Sequence, residues 1–270
     1  MGGRETGSLS NLLPGHREAA DPEHRAEVAA YWGVEQLPAS PGLSAMELFE
    51  QMRSGRIKAL WIACTNPAQS LPDQNRVHEA LLNCPFVVLQ EAFATTETAA
   101  FADLLLPAAS WGEKQGSVTN SERRVSHVRQ AVAAPGEARA DWAITVDFAQ
   151  RLERFLRPGL PSLFAFDSAA RVFDEYKGLT RGRDLDLSGL SHELLDRLGP
   201  QQWPFPEGAT QGTERLYVHG IFPTANGRAR FVSDPYVAAK EQRDARFPLT
   251  LITGRLRDQW HGMSLSLIHI

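Results

Sequence analysis

Residues 57–107 read IKALWIACTNPAQSLPDQNRVHEALLNCPFVVLQEAFATTETAAFADLLLP, and this stretch decides the fold. Its apolar runs Ile57 to Ala63, Phe86 to Leu89 and Leu104 to Leu106 have strand length. Each stops at polar or turn-forming residues: Cys64-Thr65-Asn66-Pro67, Gln90-Glu91 and Pro107. Helical segments lie between them, Asp73 to Leu82 and a short one from Thr95 to Ala102. Strand, helix, strand, helix, strand with short loops predicts right-handed crossovers and a parallel sheet. Ligands of such open α/β sheets bind outside the carboxyl ends of the strands, which here are Thr65-Asn66 and Gln90-Glu91.

Upstream, Pro22 to Trp32 predicts a helix with Asp21 as N-cap and Gly33 as the stop signal. The loop QLPASPGL leads to a second helix, Ala45 to Arg53, where Ser44 and Glu47 make a capping box. Downstream, Ala140 to Phe155 predicts an amphipathic helix closing the α/β domain, and FLRPGLPSL reads as a linker. Short helices follow near Ala169 to Tyr176 and His192 to Leu198, then the loop GIFPTANGRARF and a strand from Pro248 to Ile252.

Composition narrows the function. A chain of 270 residues, 43% hydrophobic, can bury one good core and has room for a second smaller domain. A net charge of -4 argues against a nucleic-acid partner, since phosphate-binding surfaces are usually basic. Two cysteines, Cys64 and Cys84, make neither a disulfide framework nor a metal cluster, and Cys64 reads as a small core residue. The sequence shows no membrane-spanning apolar run and no signal-peptide pattern, so a cytoplasmic protein without a membrane partner is expected. The histidines outside the last segment show no ligand spacing and are expected at the surface or at helix ends.

The polar strand ends carry the chemistry. If the strands are neighbours, a purine edge or a ribose can lie across Asn66, Gln90 and Glu91: the Asn66 amide donates and accepts, and Glu91 accepts from a ribose hydroxyl or a guanine edge. A plain turn is the alternative for Asn66-Pro67, and a solvated loop for Gln90-Glu91. Trp111-Gly112-Glu113-Lys114 places a cation suited to phosphate, and Gly116 lets the backbone bend toward it. Adjacent Arg123 and Arg124 in a strand would point to opposite sides, one toward the ligand and one toward a carboxylate. An exposed charged hairpin is the alternative for that segment.

The runs TNPAQSLPD, QEAFATTETAAFADLLLPAASWGEKQGSVTNSERR, PGEARADW and TGRLRDQWHGM together resemble the molybdopterin-dependent oxidoreductases, nearest to bacterial assimilatory nitrate reductases. The resemblance covers nearly the whole chain, Met1 to Met263. It implies an α/β fold, a parallel Rossmann-like sheet with flanking helices, followed by the start of a β-barrel domain. The expected organisation is a partial dinucleotide-binding domain over 1–157, a linker with short helices over 158–245, and the start of the barrel over 246–270. It implies a molybdenum bis-molybdopterin guanine dinucleotide contacted by Asn66, Gln90, Glu91, Lys114 and Asp141. Where this chain has Gln90-Glu91 the family more often has Ser-Asp, so the acidic role passes to Glu91. The second cofactor-binding segment runs Thr253, Gly254, Arg255, Leu256, Arg257, Asp258, Gln259, Trp260, His261, Gly262.

The resemblance further implies nitrate as substrate, a [4Fe–4S] cluster and the metal ligand upstream of this stretch, and an electron donor such as ferredoxin, flavodoxin or an NADH-linked reductase. Met1 then reads as an internal methionine, residues 265–270 as foreign sequence or a truncation scar, and the isolated stretch as inactive. Another molybdopterin enzyme such as a formate dehydrogenase, or a metal-free structural relative in a respiratory complex, are the alternatives. The retained Lys114, Asp141 and TGR…WH residues speak against the last.

Overall fold

The computed structural model describes residues 2–7, 9–238 and 243–250. Helix α1 (Pro22–Trp32) begins where the Asp21 carboxylate accepts the backbone N–H groups of Glu23 and His24, and ends where Gly33 turns left-handed at φ 67°. Helix α2 (Ala45–Arg53) begins on the Ser44–Glu47 capping box. Strands β1 (Leu60–Ala63), β2 (Val87–Glu91) and β3 (Leu104–Pro107) form a parallel sheet in that order. Helix α3 (Gln74–Asn83) makes the first crossover. The fold is therefore mixed α/β, with a parallel sheet flanked by helices, as the sequence predicts.

Two local differences have physical causes. β1 is shorter than the apolar run because the N–H groups of Arg56 and Ile57 both donate to the Gln51 carbonyl, at 2.9 and 3.4 Å. The chain is still folded over the end of α2 there, and Ile57 packs against the core instead of pairing. The second crossover holds a 3-10 turn, Glu97–Phe101, where a short helix from Thr95 to Ala102 was expected. Thr98 within it is tied through its N–H and its hydroxyl to Asn66, which fixes the segment against the Pro67–Ser70 turn after β1 rather than leaving it to wind freely.

One face of the sheet buries Ile62, Val87 and Leu89 against Val77 and Leu81 of α3 and Met52 of α2. Each such side chain contributes about 1.5–3 kcal/mol when fully buried. The other face receives helix α4 (Asp141–Leu156), where Phe148 meets Trp61 edge-on with ring centroids 4.9 Å apart. Register then positions the site. Ala63 lies beside Gln90 and Gln90 beside Leu106, so the three strands end level. Beyond β3, Ala108 bridges Arg139 in parallel, the Arg139 N–H donating to Pro107 at 3.0 Å and the Ala109 N–H to Arg139 at 2.8 Å. This stub extends the sheet and delivers the first turn of α4 to the carboxyl ends of the strands.

A second, antiparallel sheet pairs β4 (Gly116–Thr119), β5 (Arg124–Val128) and β6 (Gln201–Gln202) in that order. It packs with helices α5 (Ala169–Gly178) and α6 (His192–Leu198). The segment 158–245, read from sequence as a linker with short helices, supplies most of a second apolar cluster, with Phe173, Leu185, Leu187, Trp203 and Phe205 around Val125. Arg123 and Arg124 do not alternate across a strand. Arg123 occupies the turn before β5 at φ 64° and donates to the carbonyls of Trp203, Thr213 and Glu214, while Arg124 lies 3.5 Å from the Glu122 carboxylate.

The chain divides into two units, Met1–Val218 and His219–Ile270. In the second, FPTANGR makes a tight turn in which the Phe222 N–H donates to Gly227 at 2.9 Å and the Asn226 carboxamide accepts the Arg228 N–H at 3.1 Å. Pro248 to Thr250 carry no strand, and Leu251 and Ile252 lie outside the described residues, as does most of the expected barrel start. No described helix is long and apolar enough to cross a membrane.

Candidate cofactor site

Asp141 is the first residue of α4, where the helix dipole and unpaired N–H groups favour a carboxylate. Its Oδ2 accepts from Lys114 Nζ at 2.6 Å, and its Oδ1 accepts from Gln90 Nε2 at 2.8 Å and from the Cys64 thiol at 3.3 Å. Four segments distant in sequence meet here: the end of β1, the end of β2, the loop before β4 and the start of α4. Burial works to raise the Asp141 carboxyl. Hydrogen bonds from Lys114, Gln90 and Cys64, with the Lys114 charge, outweigh it and hold the group below its ordinary range. The Cys64 thiol is pushed up to about 11, first by burial and then by its hydrogen bond to Asp141 and that carboxylate's charge. It is a neutral donor at physiological pH.

Cys64 is exposed as a residue, with only its sulfur partly enclosed beside Asp141, which corrects its reading as a core residue. At φ 56° it takes a left-handed turn at the end of β1, so its side chain leaves the strand's inward alternation and reaches Asp141. Cys84 is the buried one. The loop bearing Lys114 is shaped by Glu113, whose carboxylate accepts the Ser110 N–H at 2.8 Å, and by Gly112 at φ 82°. The Lys114 ammonium lies 5.5 Å from the Trp111 ring centroid. Lys114 and Asp141 also stand in the wall of a mostly apolar cavity of about 380 Å³ that continues past Trp142 and Phe173.

Asn66 and Glu91 sit at the same strand ends but on other partners. The Asn66 oxygen accepts the Thr98 hydroxyl at 2.6 Å and the Thr98 N–H at 3.1 Å, and its amide nitrogen donates to Glu97 at 2.5 Å and to Gln69 at 3.3 Å. Glu91 Oε1 accepts the Ala92 and Phe93 N–H groups at 2.7 and 3.4 Å. The residues read from sequence thus fall into a group of Gln90, Lys114 and Asp141 that touch, and Asn66 and Glu91 that flank it. Thr253 to Gly262 lie outside the described residues. The sequence pattern places Cys64 in the core and does not mark Glu97 or Thr98 as part of the site. A thiol two residues before Asn66 on a strand end was the available signal for Cys64, and nothing in the run Thr95-Thr96-Glu97-Thr98 distinguishes Thr98 from its neighbours.

The second sheet holds a separate cluster. His127 and His192 stack with centroids 4.1 Å apart, His127 Nδ1 lies 2.8 Å from Asp196, and His192 Nε2 lies 2.9 Å from the Ser117 hydroxyl. His192 starts α6, as expected for a helix-end histidine, but His127 sits within β5 with its side chain 10% exposed. Among the described residues no group of three or more His, Cys, Asp or Glu side chains is placed to hold a metal ion.

The model of the molybdopterin oxidoreductase family matches residues 3–151, which contain every residue of this strand-end site. The chain belongs to the molybdopterin oxidoreductases. A nitrate reductase of Synechocystis sp. is 44% identical over 267 residues, 97% of this chain and 37% of that protein. The assimilatory nitrate reductase catalytic subunit of Bacillus subtilis is 38% identical over 96% of this chain and 36% of its own length. The alpha subunit of a formate dehydrogenase of Methanocaldococcus jannaschii is 35% identical over 97% of this chain and 36% of its own. This molybdopterin oxidoreductase chain therefore spans little more than a third of the length of these relatives, and the family implies a molybdopterin cofactor.

Proposed function

We propose that this chain is the cofactor-cradling part of a nitrate reductase catalytic subunit, and that the full-length protein reduces nitrate to nitrite in the cytoplasm. The observation that carries the reading is the strand-end group Gln90, Lys114 and Asp141, in a chain 44% identical to a nitrate reductase over 97% of its length. The form of cofactor we propose is molybdenum bis-molybdopterin guanine dinucleotide, with a [4Fe–4S] cluster elsewhere in the protein and a ferredoxin, flavodoxin or NADH-linked donor.

The donor set fits a dinucleotide. Lys114 makes one hydrogen bond among the described residues, so two ammonium N–H groups remain for phosphate or a pterin carbonyl. Asp141 holds that ammonium in place and stays ionised, Gln90 fixes the carboxylate from below, and Glu91 offers an acceptor for a ribose hydroxyl or guanine N–H. Asn66 and the segment Thr253 to Gly262 complete the proposed contacts. When bound, the group supplies oxygen-atom transfer chemistry, and this chain's residues supply orientation and charge compensation. The 270-residue stretch by itself is expected to bind no molybdenum and form no nitrite.

The formate dehydrogenase relative favours formate oxidation as the second reading. Full-length protein from a cofactor-making host, assayed with reduced dye and nitrate and separately with oxidised dye and formate, decides between them. Nitrite formation without formate oxidation is the expected result. Formate oxidation without nitrite overturns the nitrate assignment.

A further inference from the structure

An asparagine at a helix N-cap ordinarily turns its side-chain oxygen onto the second or third N–H of the helix it starts. Asn66 stands at the N-cap of the turn Pro67–Ser70 and makes no such bond. The Thr98 hydroxyl, fully buried, accepts the Ala68 N–H at 3.1 Å in its place, and donates its own proton to Asn66 Oδ1 at 2.6 Å. The Thr98 N–H donates to the same oxygen at 3.1 Å. A backbone N–H can only donate, so the atom facing Thr98 must be the amide oxygen, and the amide nitrogen must face the other way. There it donates to the exposed carboxylate of Glu97 and to Gln69.

We propose that Thr98 is a positioning residue for Asn66, which commits that amide to donate to the cofactor, so that it meets an acceptor such as a phosphate or ribose oxygen and not a base N–H. This rests on the reading of the strand ends as a guanine dinucleotide site. Both lone pairs of the Asn66 oxygen are taken by Thr98, so its two N–H groups point away from Thr98, where the side chains of Glu97 and Gln69 accept them and a ligand oxygen would take their place. Glu97 shows the chemistry that end selects: an anionic oxygen at 2.5 Å. The Asn66 contact is thereby assigned to the anionic or hydroxylated part of the ligand, while Glu91 is left as the acceptor for its N–H groups.

The test uses full-length protein from a cofactor-making host, with guanosine monophosphate released by acid hydrolysis measured per folded protein and thermal melting followed in parallel. If the unsubstituted protein releases none, the dinucleotide reading itself fails and takes this inference with it. If it does release the nucleotide, the paired substitution Asn66→Asp with Glu97→Gln keeps a hydrogen bond between the two side chains but reverses its direction. It is expected to lower release about tenfold, the loss of one charge-assisted bond, with little change in melting. Thr98→Val should lower release several-fold per folded protein, and Thr98→Ser, which keeps the hydroxyl, should restore it. Unchanged release from the reversed pair, or a serine variant no better than valine, overturns the inference.

Discussion

The parallel and antiparallel sheets of the first unit rest on the same kind of apolar packing, yet they draw it from very different distances along the chain. The first face of the parallel sheet is closed by α2 and α3, which immediately precede β1 and β2, and its buried residues run from Met52 to Leu89. The antiparallel sheet joins Val125 to Phe173, Trp203 and Phe205, and Arg123 in its turn reaches Glu214, 91 residues on. The difference matters for the site. The local sheet carries the polar strand ends of the proposed cofactor site, whereas the distant one follows directly on the loop that carries Lys114.

The strongest way to break this comparison is to empty each core in turn. Leu89→Ala should destabilise by about 2–5 kcal/mol and Phe205→Ala by about 3–5 kcal/mol, since both side chains are fully buried. Denaturant unfolding with the intrinsic tryptophans as reporter checks this. A loss under 1 kcal/mol at Phe205 would mean that the antiparallel region is a loose appendage.

That contrast also governs what the sequence could disclose. The α/β class, α1, α2 with its capping box and the strand ends at Gln90 and Glu91 were legible because each depends on residues a few positions apart. The pairing of Lys114 with Asp141 was not, because it needs the parallel bridge of Ala108 to Arg139 to bring α4 to the sheet. Cys64 was misread because its left-handed backbone breaks the strand's alternation, and no periodicity reports that. Arg123 was misplaced for the same reason: a turn residue at positive φ looks, in a β-prone run, like part of a strand.

The two regions should also respond to acid in different windows. Asp141, depressed from its ordinary 3.8, contributes stability that is fully present above that pH and is lost as pH falls through its lower folded value. His192 is lowered from 6.5 by burial and by the His127 charge, against the opposing Asp174 and Asp196. A lowered histidine resists protonation in the fold, so its contribution is present above pH 6.5 and lost as pH falls through its folded value. His192→Phe, which keeps the stack with His127 and Phe173, should flatten the stability curve just below pH 6.5 and leave the region below 3.8 unchanged. Lys114→Met should do the reverse by raising Asp141. Unfolding midpoints measured from pH 3 to 8 separate the two, and identical curves for both variants would erase the distinction.

The smallest expected effect is on Cys64. With its thiol pushed up to about 11 it should alkylate slowly at neutral pH despite its exposure, and Asp141→Asn should speed the reaction by removing the carboxylate charge that disfavours the thiolate. Iodoacetamide labelling against pH reads this, and an unchanged rate would separate Cys64 from the Asp141 group.

The central claim, that the Lys114–Asp141 pair at the strand ends holds the cofactor, is tested most directly by molybdenum content. Full-length Lys114→Ala protein, purified from a cofactor-making host, should carry several-fold less molybdenum per folded chain by elemental analysis, while the fraction that is loaded keeps its Michaelis constant for nitrate. Normal molybdenum content in that variant would contradict the account.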